Sequence, residues 1–259
     1  MDNRALHRSP PRQLSIAIGQ VPLTLHFDGE KLRQRAGRRY ARFRASQADG
    51  LPIFLASDCA PALDSAEFAY TLDDASVSLD SATAHFRGVR HEFALDSLLR
   101  ILLSVVLLPH RGFLLHAATV VRKGRAYVFT GRSGAGKSTI AALSPPGSVL
   151  TDEISLLRFS CAAWQAYGTP FWGEFRAAGA NSHLPVAGIY TLVQSPEDTV
   201  ERLSVKQALR ALLPNVLFFA SSQPQTQQLL QVLAGAAKEI PIYRLHFRRH
   251  DRFWEVIAP

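Results

Sequence analysis

The stretch Gly131-Arg132-Ser133-Gly134-Ala135-Gly136-Lys137-Ser138 constrains this chain more than any other, because it satisfies G-x-x-x-x-G-K-[ST] at each fixed position. Ahead of it, Ala126-Tyr127-Val128-Phe129 is apolar, aromatic and β-branched, the composition of a buried strand. Behind it, Thr139-Ile140-Ala141-Ala142-Leu143 continues as a helix. Strand, glycine loop and helix in that order make a phosphate cradle. Glycines adopt backbone angles closed to other residues, so successive N–H groups turn into the loop, where the helix N-terminus adds positive potential. Lys137 then reaches the β- and γ-phosphates, and the Ser138 hydroxyl is placed to ligate Mg²⁺. The expectation is a triphosphate site built from residues 131–138 and Thr139; the competing reading is a glycine-rich turn that happens to carry Lys-Ser.

Composition bounds the rest. With 259 residues, 47% hydrophobic and 19% charged, the chain is globular in type and long enough to bury a substantial core. A net charge of +8 favours anionic partners, nucleotides or acidic peptides among them, without choosing between them. Cys59 and Cys161 lie far apart and outside any Cys-x-x-Cys pattern, which argues against a disulfide framework or a structural zinc site and makes a reducing cytoplasm the default location. Residues 1–13 carry Arg4, His7, Arg12 and two prolines with no apolar core behind them, so they read as a tail rather than a signal peptide. The most apolar run, 101–108, is too short to cross a bilayer and reads as a buried helix, so no membrane partner is expected.

In chain order, residues 14–90 signal mostly strands, at Val21, Leu23, Leu25 and Phe27, then at 51–55, 68–72 and 77–79. Between them Lys31, Arg33, Arg35, Arg38, Arg39, Arg42 and Arg44 form a basic run with no acid inside it. It reads either as a cationic surface for an acidic peptide or phosphates, or as a solvated face; only Tyr40 and Phe43 interleave, so nucleic acid is not an expected partner. Residues 93–108 predict a helix ended by Pro109, and 113–121 with 125–130 predict two strands joined by the tight turn Arg122-Lys123-Gly124. His116, within the first of these strands, is either an ordinary packed histidine or one that faces the phosphates.

Pro145-Pro146-Gly147 forces a turn, after which Val149-Leu150 leads into Asp152-Glu153. Adjacent carboxylates at the end of a short strand, soon after the lysine, suit a Mg-nucleotide site: one for the metal or the nucleophile's proton, the other for support. The alternative is a surface turn. Strands follow at 154–159 and 164–167, then a loop at 168–175 that is rich in aromatics and has Glu174 as its only acid, a substrate-facing lid or a cover for the core. Residues 188–193 predict a strand, 205–213 and 226–238 helices, and 242–247 and 253–257 strands around the basic turn Arg248-Arg249-His250-Asp251-Arg252.

The order Leu115-His116-Ala117-Ala118, strand, glycine loop, then Thr151-Asp152-Glu153 resembles the C-terminal kinase domain of HPr kinase/phosphorylase and its HPr-kinase-like relatives, over residues 93–259. The resemblance implies an α/β fold, a P-loop kinase core of the HPr kinase type with a mixed, partly antiparallel sheet, at 91–259, preceded by a β-rich accessory segment at 1–90. In that family the histidine before the P-loop strand lies near the reacting phosphate, and the first carboxylate of an Asp-Asp pair is the base toward the acceptor serine. Those roles fall by motif match to His116 and Asp152, with Glu153 where the family more often has aspartate. Glu174 is a loose counterpart of the glutamate in the family's later signature, and the shorter interval from Lys137 to Asp152 implies an abbreviated loop helix. The signature associated with HPr dephosphorylation is not recognisable. What is expected is Mg-ATP-dependent phosphorylation of a serine-type hydroxyl on a peptide or small protein, with ATP and Mg²⁺ as cofactors and Ser138 and Asp152 on the metal. A kinase for a small hydroxylated metabolite and a nucleotide-gated binding module are the rival readings. A homo-oligomer is compatible with all of them.

Overall fold

The computed structural model describes residues 12–46, 49–59, 66–173, 179–220 and 222–257. They divide into two compact units, one of Met1–Ala17 with Pro22–Leu98, the other of Ile18–Val21 with Leu99–Pro259. Besides the short Ile18–Val21 segment, the division falls between Leu98 and Leu99, inside a helix.

Strands β1 (Gln13–Ile18) and β2 (Val21–Phe27), helix α1 (Glu30–Arg39), and strands β3 (Leu51–Leu55), β4 (Phe68–Leu72), β5 (Ala75–Leu79) and β6 (Ala84–Arg87) come first. The sheet order is β1-β2-β3-β6-β5-β4, with β2, β3 and β6 parallel and β4–β5–β6 an antiparallel meander. The alternation read from Val21, Leu23, Leu25 and Phe27 is the buried face of β2.

The basic run forms α1 and the 3-10 turn Ala41–Phe43, and much of its charge is met within the unit. Arg33 bonds Glu30 through both nitrogens of its fork, and Arg35 lies 3.8 Å from Glu92. Arg39 pairs with Asp96, their side chains only 8% and 5% exposed, and the Tyr40 hydroxyl donates to the same carboxylate at 2.6 Å. Tyr40 and Phe43 are fully buried and offer no stacking platform. Breaking one side of a buried ion pair typically costs about 3–5 kcal/mol, so Asp96→Ala is expected to lower stability by about that much in urea unfolding. Arg38→Gln, on the exposed part of α1, is expected to stay within about 0.5 kcal/mol; equal small effects would contradict the buried pair.

Helix α2 (Glu92–Val106) matches the expected 93–108 segment, and Pro109 lies in the 3-10 turn Leu108–His110 that ends it. The second unit then contains β7 (Gly112–Arg122), β8 (Arg125–Thr130), α3 (Lys137–Leu143), β9 (Val149–Thr151), β10 (Ile154–Ser160) and β11 (Ala163–Tyr167). After these come β12 (His183–Gln194), β13 (Thr199–Arg202), α4 (Val205–Leu212), β14 (Val216–Leu217), α5 (Gln223–Glu239), β15 (Ile242–Phe247) and α6 (Phe253–Ile257). Strand order is β11-β10-β7-β8-β12-β15-β13, with β9 and β14 also pairing β7. β8, β12 and β15 run parallel to one another while β7, β10, β11 and β13 pair antiparallel, so the sheet is mixed and the fold is mixed α/β.

Alternation along β8 explains the layering. Ala126 and Val128 join a core with Ile189, Leu212, Leu233 and Ala236, under α4 and α5. Tyr127 and Phe129 point the other way, into a second core with Ile140 of α3 and Phe253 and Trp254 of α6. The central strands are thus buried on both faces, as parallel strands require. The turn between β7 and β8 has positive φ at Lys123 and Gly124, the type I′ geometry of a two-residue hairpin.

Residues 253–257, expected as a strand, are helical instead. Phe253 and Trp254 are both buried, which a two-residue alternation forbids on one face, and Trp254 packs edge-on against Tyr127 and Phe129. Only Glu255 in this segment is exposed, so the apolar residues at 253, 254, 256 and 257 mark one face of a helical turn.

Candidate functional site

Strand β7 organises the site because it is paired on both edges. On one edge Ala117 is opposite Thr130, the residue before Gly131. On the other edge Thr151 of β9 is opposite Thr119 and Ile154 of β10 is opposite His116, the same register on both sides of the break at Asp152-Glu153, while β9 shifts by one residue between Thr119 and Val120. That register sets Asp152 level with Ala118 and Glu153 level with Ala117, whose N–H donates to the Glu153 carbonyl at 2.9 Å. With strands ~4.8 Å apart, the start of the glycine loop and the two carboxylates lie on either side of β7, roughly 10 Å apart.

Backbone conformation fixes the loop. Gly131, Gly134 and Gly136 have φ of 153°, 76° and 111°. A Cβ at Gly136 would also fall 2.5 Å from the Phe247 ring, and one at Gly131 2.9 Å from the Ala135 side chain. Gln194 donates to the Gly134 carbonyl at 2.7 Å. Helix α3 starts at Lys137 with no side-chain cap from Gly136, and it ends after seven residues at Ser144, abbreviated as the interval to Asp152 implied. Lys137 is 8% exposed, and its Nζ donates to the carbonyls of Gly131 and Arg132 at 2.7 and 3.3 Å, which holds the ammonium over the loop. Burial lowers its pKa, and the charge of Glu153 works in the opposite direction.

Asp152 is 6% exposed and accepts the Gly173 N–H at 3.0 Å. A side chain at Gly173 would meet the Glu153 Cβ at 3.1 Å, so glycine lets the 171–173 segment lie against the carboxylates. Beneath them, three buried hydroxyls converge: Thr119 and Thr151 each lie 2.7 Å from the Ser155 Oγ, which donates to the Ala117 carbonyl at 3.0 Å. Ser155 can accept from both threonines while donating once, so the buried network is satisfied and ties β9 and β10 to β7. Thr130 extends it on the other edge by donating to the His116 carbonyl.

His116 is half-buried. Its pKa is lowered first by burial, then by the charges of Lys137 and Arg100, so the imidazole is neutral at pH 7. Arg100 reaches the site from α2, its Nη2 3.6 Å from the Glu153 carboxylate and its guanidinium 5.1 Å from the Phe171 ring centroid.

The structure therefore brings Lys137, Asp152, Glu153 and His116 into one neighbourhood with the loop of Arg132, Ser133, Ala135, Ser138 and Thr139. Glu174 lies outside the described residues. The basic turn at 248–252 is tied back to Asp198, which Arg248 and His250 approach at 3.4 and 3.3 Å. Arg100, Ser155 and Gly173 were not singled out by sequence. Arg100 alone left a signal, a charge inside an apolar run. No cluster of three or more His, Cys, Asp or Glu suited to a metal occurs among the described residues, and none of their helices is long and apolar enough to cross a membrane.

A mixed α/β unit with a glycine loop facing a pair of carboxylates across one strand is the class that fold and site define. The chain belongs to the family described as SynChlorMet cassette protein ScmC, which matches residues 91–259. No curated protein matches it. Among solved structures, the Hpr(Ser) kinase/phosphatase from Coxiella burnetii is similar at 13% identity, over 48% of this chain and 89% of that one, with a TM-score of 0.28. That superposition is too loose to carry a shared fold.

The electrostatics yield a prediction. His116 should titrate below the ordinary histidine range by NMR, and Lys137→Ala should move it upward while burial keeps it below normal. Because the unfolded chain takes up this proton more readily, the group withdraws stability as pH falls below the ordinary histidine value and is neutral in effect above it. An unshifted resonance in both proteins would contradict the arrangement.

Proposed function

We propose that this chain is a Mg-ATP-dependent phosphotransferase acting on a serine-type hydroxyl, presented by a peptide or small protein. The observation that carries this reading is that the start of the glycine loop, after Thr130, and the Asp152-Glu153 break lie on opposite edges of β7, about two strand spacings apart. That span suits a phosphate chain lying between a cradle and a base. The loop fits phosphates on its own geometry: its three glycines hold positive φ, side chains at Gly131 and Gly136 would clash, and the first turn of α3 is left without a side-chain cap. Ser138 and Asp152 would hold magnesium, which supplies charge neutralisation at the phosphate oxygens. One carboxylate and one hydroxyl suit that ion, since it keeps several waters and takes further ligands from phosphate.

Each residue then has a role in charge or proton movement. Lys137 stabilises negative charge on the transferred group, and the loop N–H groups add to it. Asp152, oriented by the Gly173 N–H, takes the proton of the acceptor hydroxyl as its oxygen bonds to phosphorus. Glu153 balances the neighbouring cations, and neutral His116 offers a hydrogen bond rather than a charge. The motif resemblance to HPr-kinase-like enzymes supports the same assignment.

Two substitutions test it. Lys137→Ala should weaken Mg-ATP binding by about 10- to 100-fold in calorimetry while the far-ultraviolet spectrum stays unchanged, as expected for a lost charge-assisted bond. Asp152→Asn should keep nucleotide affinity within a few fold yet lose about 10²–10⁴ in phosphotransfer. Unchanged binding in the first removes the cradle assignment, and near-normal turnover in the second removes Asp152 as base.

A further inference from the structure

Helix α2 carries Leu98, Leu99, Ile101, Leu102 and Leu103 fully buried around one charged residue, Arg100. An arginine in such a run must send its head to a place that repays its desolvation. Its side chain is 22% exposed, its guanidinium lies over the Phe171 ring at 5.1 Å from the centroid, and its Nε is buried with no hydrogen-bond partner among the described residues. The contact with Glu153, at 3.6 Å, is longer than a hydrogen bond, so the carboxylate attracts the guanidinium without occupying its fork. Glu153 also acts on Lys137, and His116 feels both cations. Two positive groups from separate elements therefore converge on the same carboxylate.

We infer that Arg100 is a second phosphate-binding cation, engaging the terminal phosphate of the nucleoside triphosphate opposite Lys137. The inference rests on the phosphotransferase reading above and deepens it. A planar guanidinium that lies over an aromatic ring and keeps an unpartnered Nε can match a tetrahedral oxyanion bidentately, whereas a lysine would meet it as a point charge. Phe171 gives the guanidinium an aromatic face to rest against, and Glu153 offsets the charge until phosphate is present. Such a cation distinguishes triphosphate from diphosphate, because only the former has a terminal phosphate with oxygens left over for a second cation opposite Lys137.

The test is calorimetry on the full chain with Mg-ADP and with the magnesium complex of the non-hydrolysable β,γ-imido analogue of ATP. The wild type should prefer the triphosphate. Arg100→Gln, which keeps the stem and a planar head, should bind Mg-ADP within about threefold of wild type and lose about 10- to 100-fold for the triphosphate analogue, the scale of one charge-assisted hydrogen bond. Arg100→Lys should fall between. Glu153→Gln separates this from a structural ion pair: a structural role predicts the same loss as Arg100→Gln, while a phosphate role predicts triphosphate affinity unchanged or tighter. Equal losses for both nucleotides, or a retained triphosphate preference in folded Arg100→Gln, would overturn the inference and leave the cradle intact. A wild type that binds neither nucleotide would overturn the cradle and this inference together.

Discussion

The double pairing of β7 is the constraint on which the site depends. Along one edge it holds β8 and so the start of the glycine loop; along the other it holds β9 and β10 and so the break at Asp152-Glu153. A register slip of one residue between β7 and either neighbour would turn the slipped strand's side chains to the opposite face and shift the loop start or the carboxylate break along β7, since side chains alternate with period two. The buried Thr119–Ser155–Thr151 contacts resist that slip, because moving either strand would leave hydroxyls unpaired away from water. Alanines at 117 and 118 leave room beside the break. The local chemistry is thus set by pairing rather than by the loops alone.

Electrostatics follow from that placement. Lys137 and Arg100 are partly desolvated cations, His116 is kept neutral beside them, and Glu153 faces both. In water these charges would be screened; partly buried, they act on one another and on any oxyanion brought among them. The aromatic core beneath the loop has a second consequence. Phe247 fills the space where a side chain at Gly136 would lie, so the packing of β15 helps to hold the loop's shape.

Local patterns were legible in the sequence, and long-range partnerships were not. The run 126–143 shows its strand, glycines and helix because each signal lies within a few residues of the next. The helices at 205–213 and 226–238 were readable for the same reason, and their N-caps are Ser204 and Ser222, whereas the mixed sheet was expected only from the family resemblance. Residues 253–257 misled because Phe and Trp side by side have high β propensity, and only burial against Phe129 selects a helical turn. Arg39 looked like one of seven surface cations, yet its carboxylate partner is Asp96, far along the chain. Arg100 looked like the border of an apolar helix, and its meaning came from Glu153 and Phe171, which only the fold brings near. Ser155 carried no signal at all: a serine inside a strand gains its role from threonines on two other strands.

The central claim is transfer of a phosphoryl group to a hydroxyl at this site, and acceptor mass tests it most directly. The purified chain would be incubated with Mg-ATP and a candidate serine-containing peptide or small protein, chosen from whatever is encoded near its gene, and intact masses recorded over time. The account predicts a gain of one phosphoryl group located on serine, dependent on magnesium and absent with Asp152→Asn. Folded, nucleotide-binding protein that leaves that acceptor's mass unchanged while phosphorylating a small hydroxyl compound would contradict the peptide acceptor; no transfer to either would contradict the phosphotransferase itself.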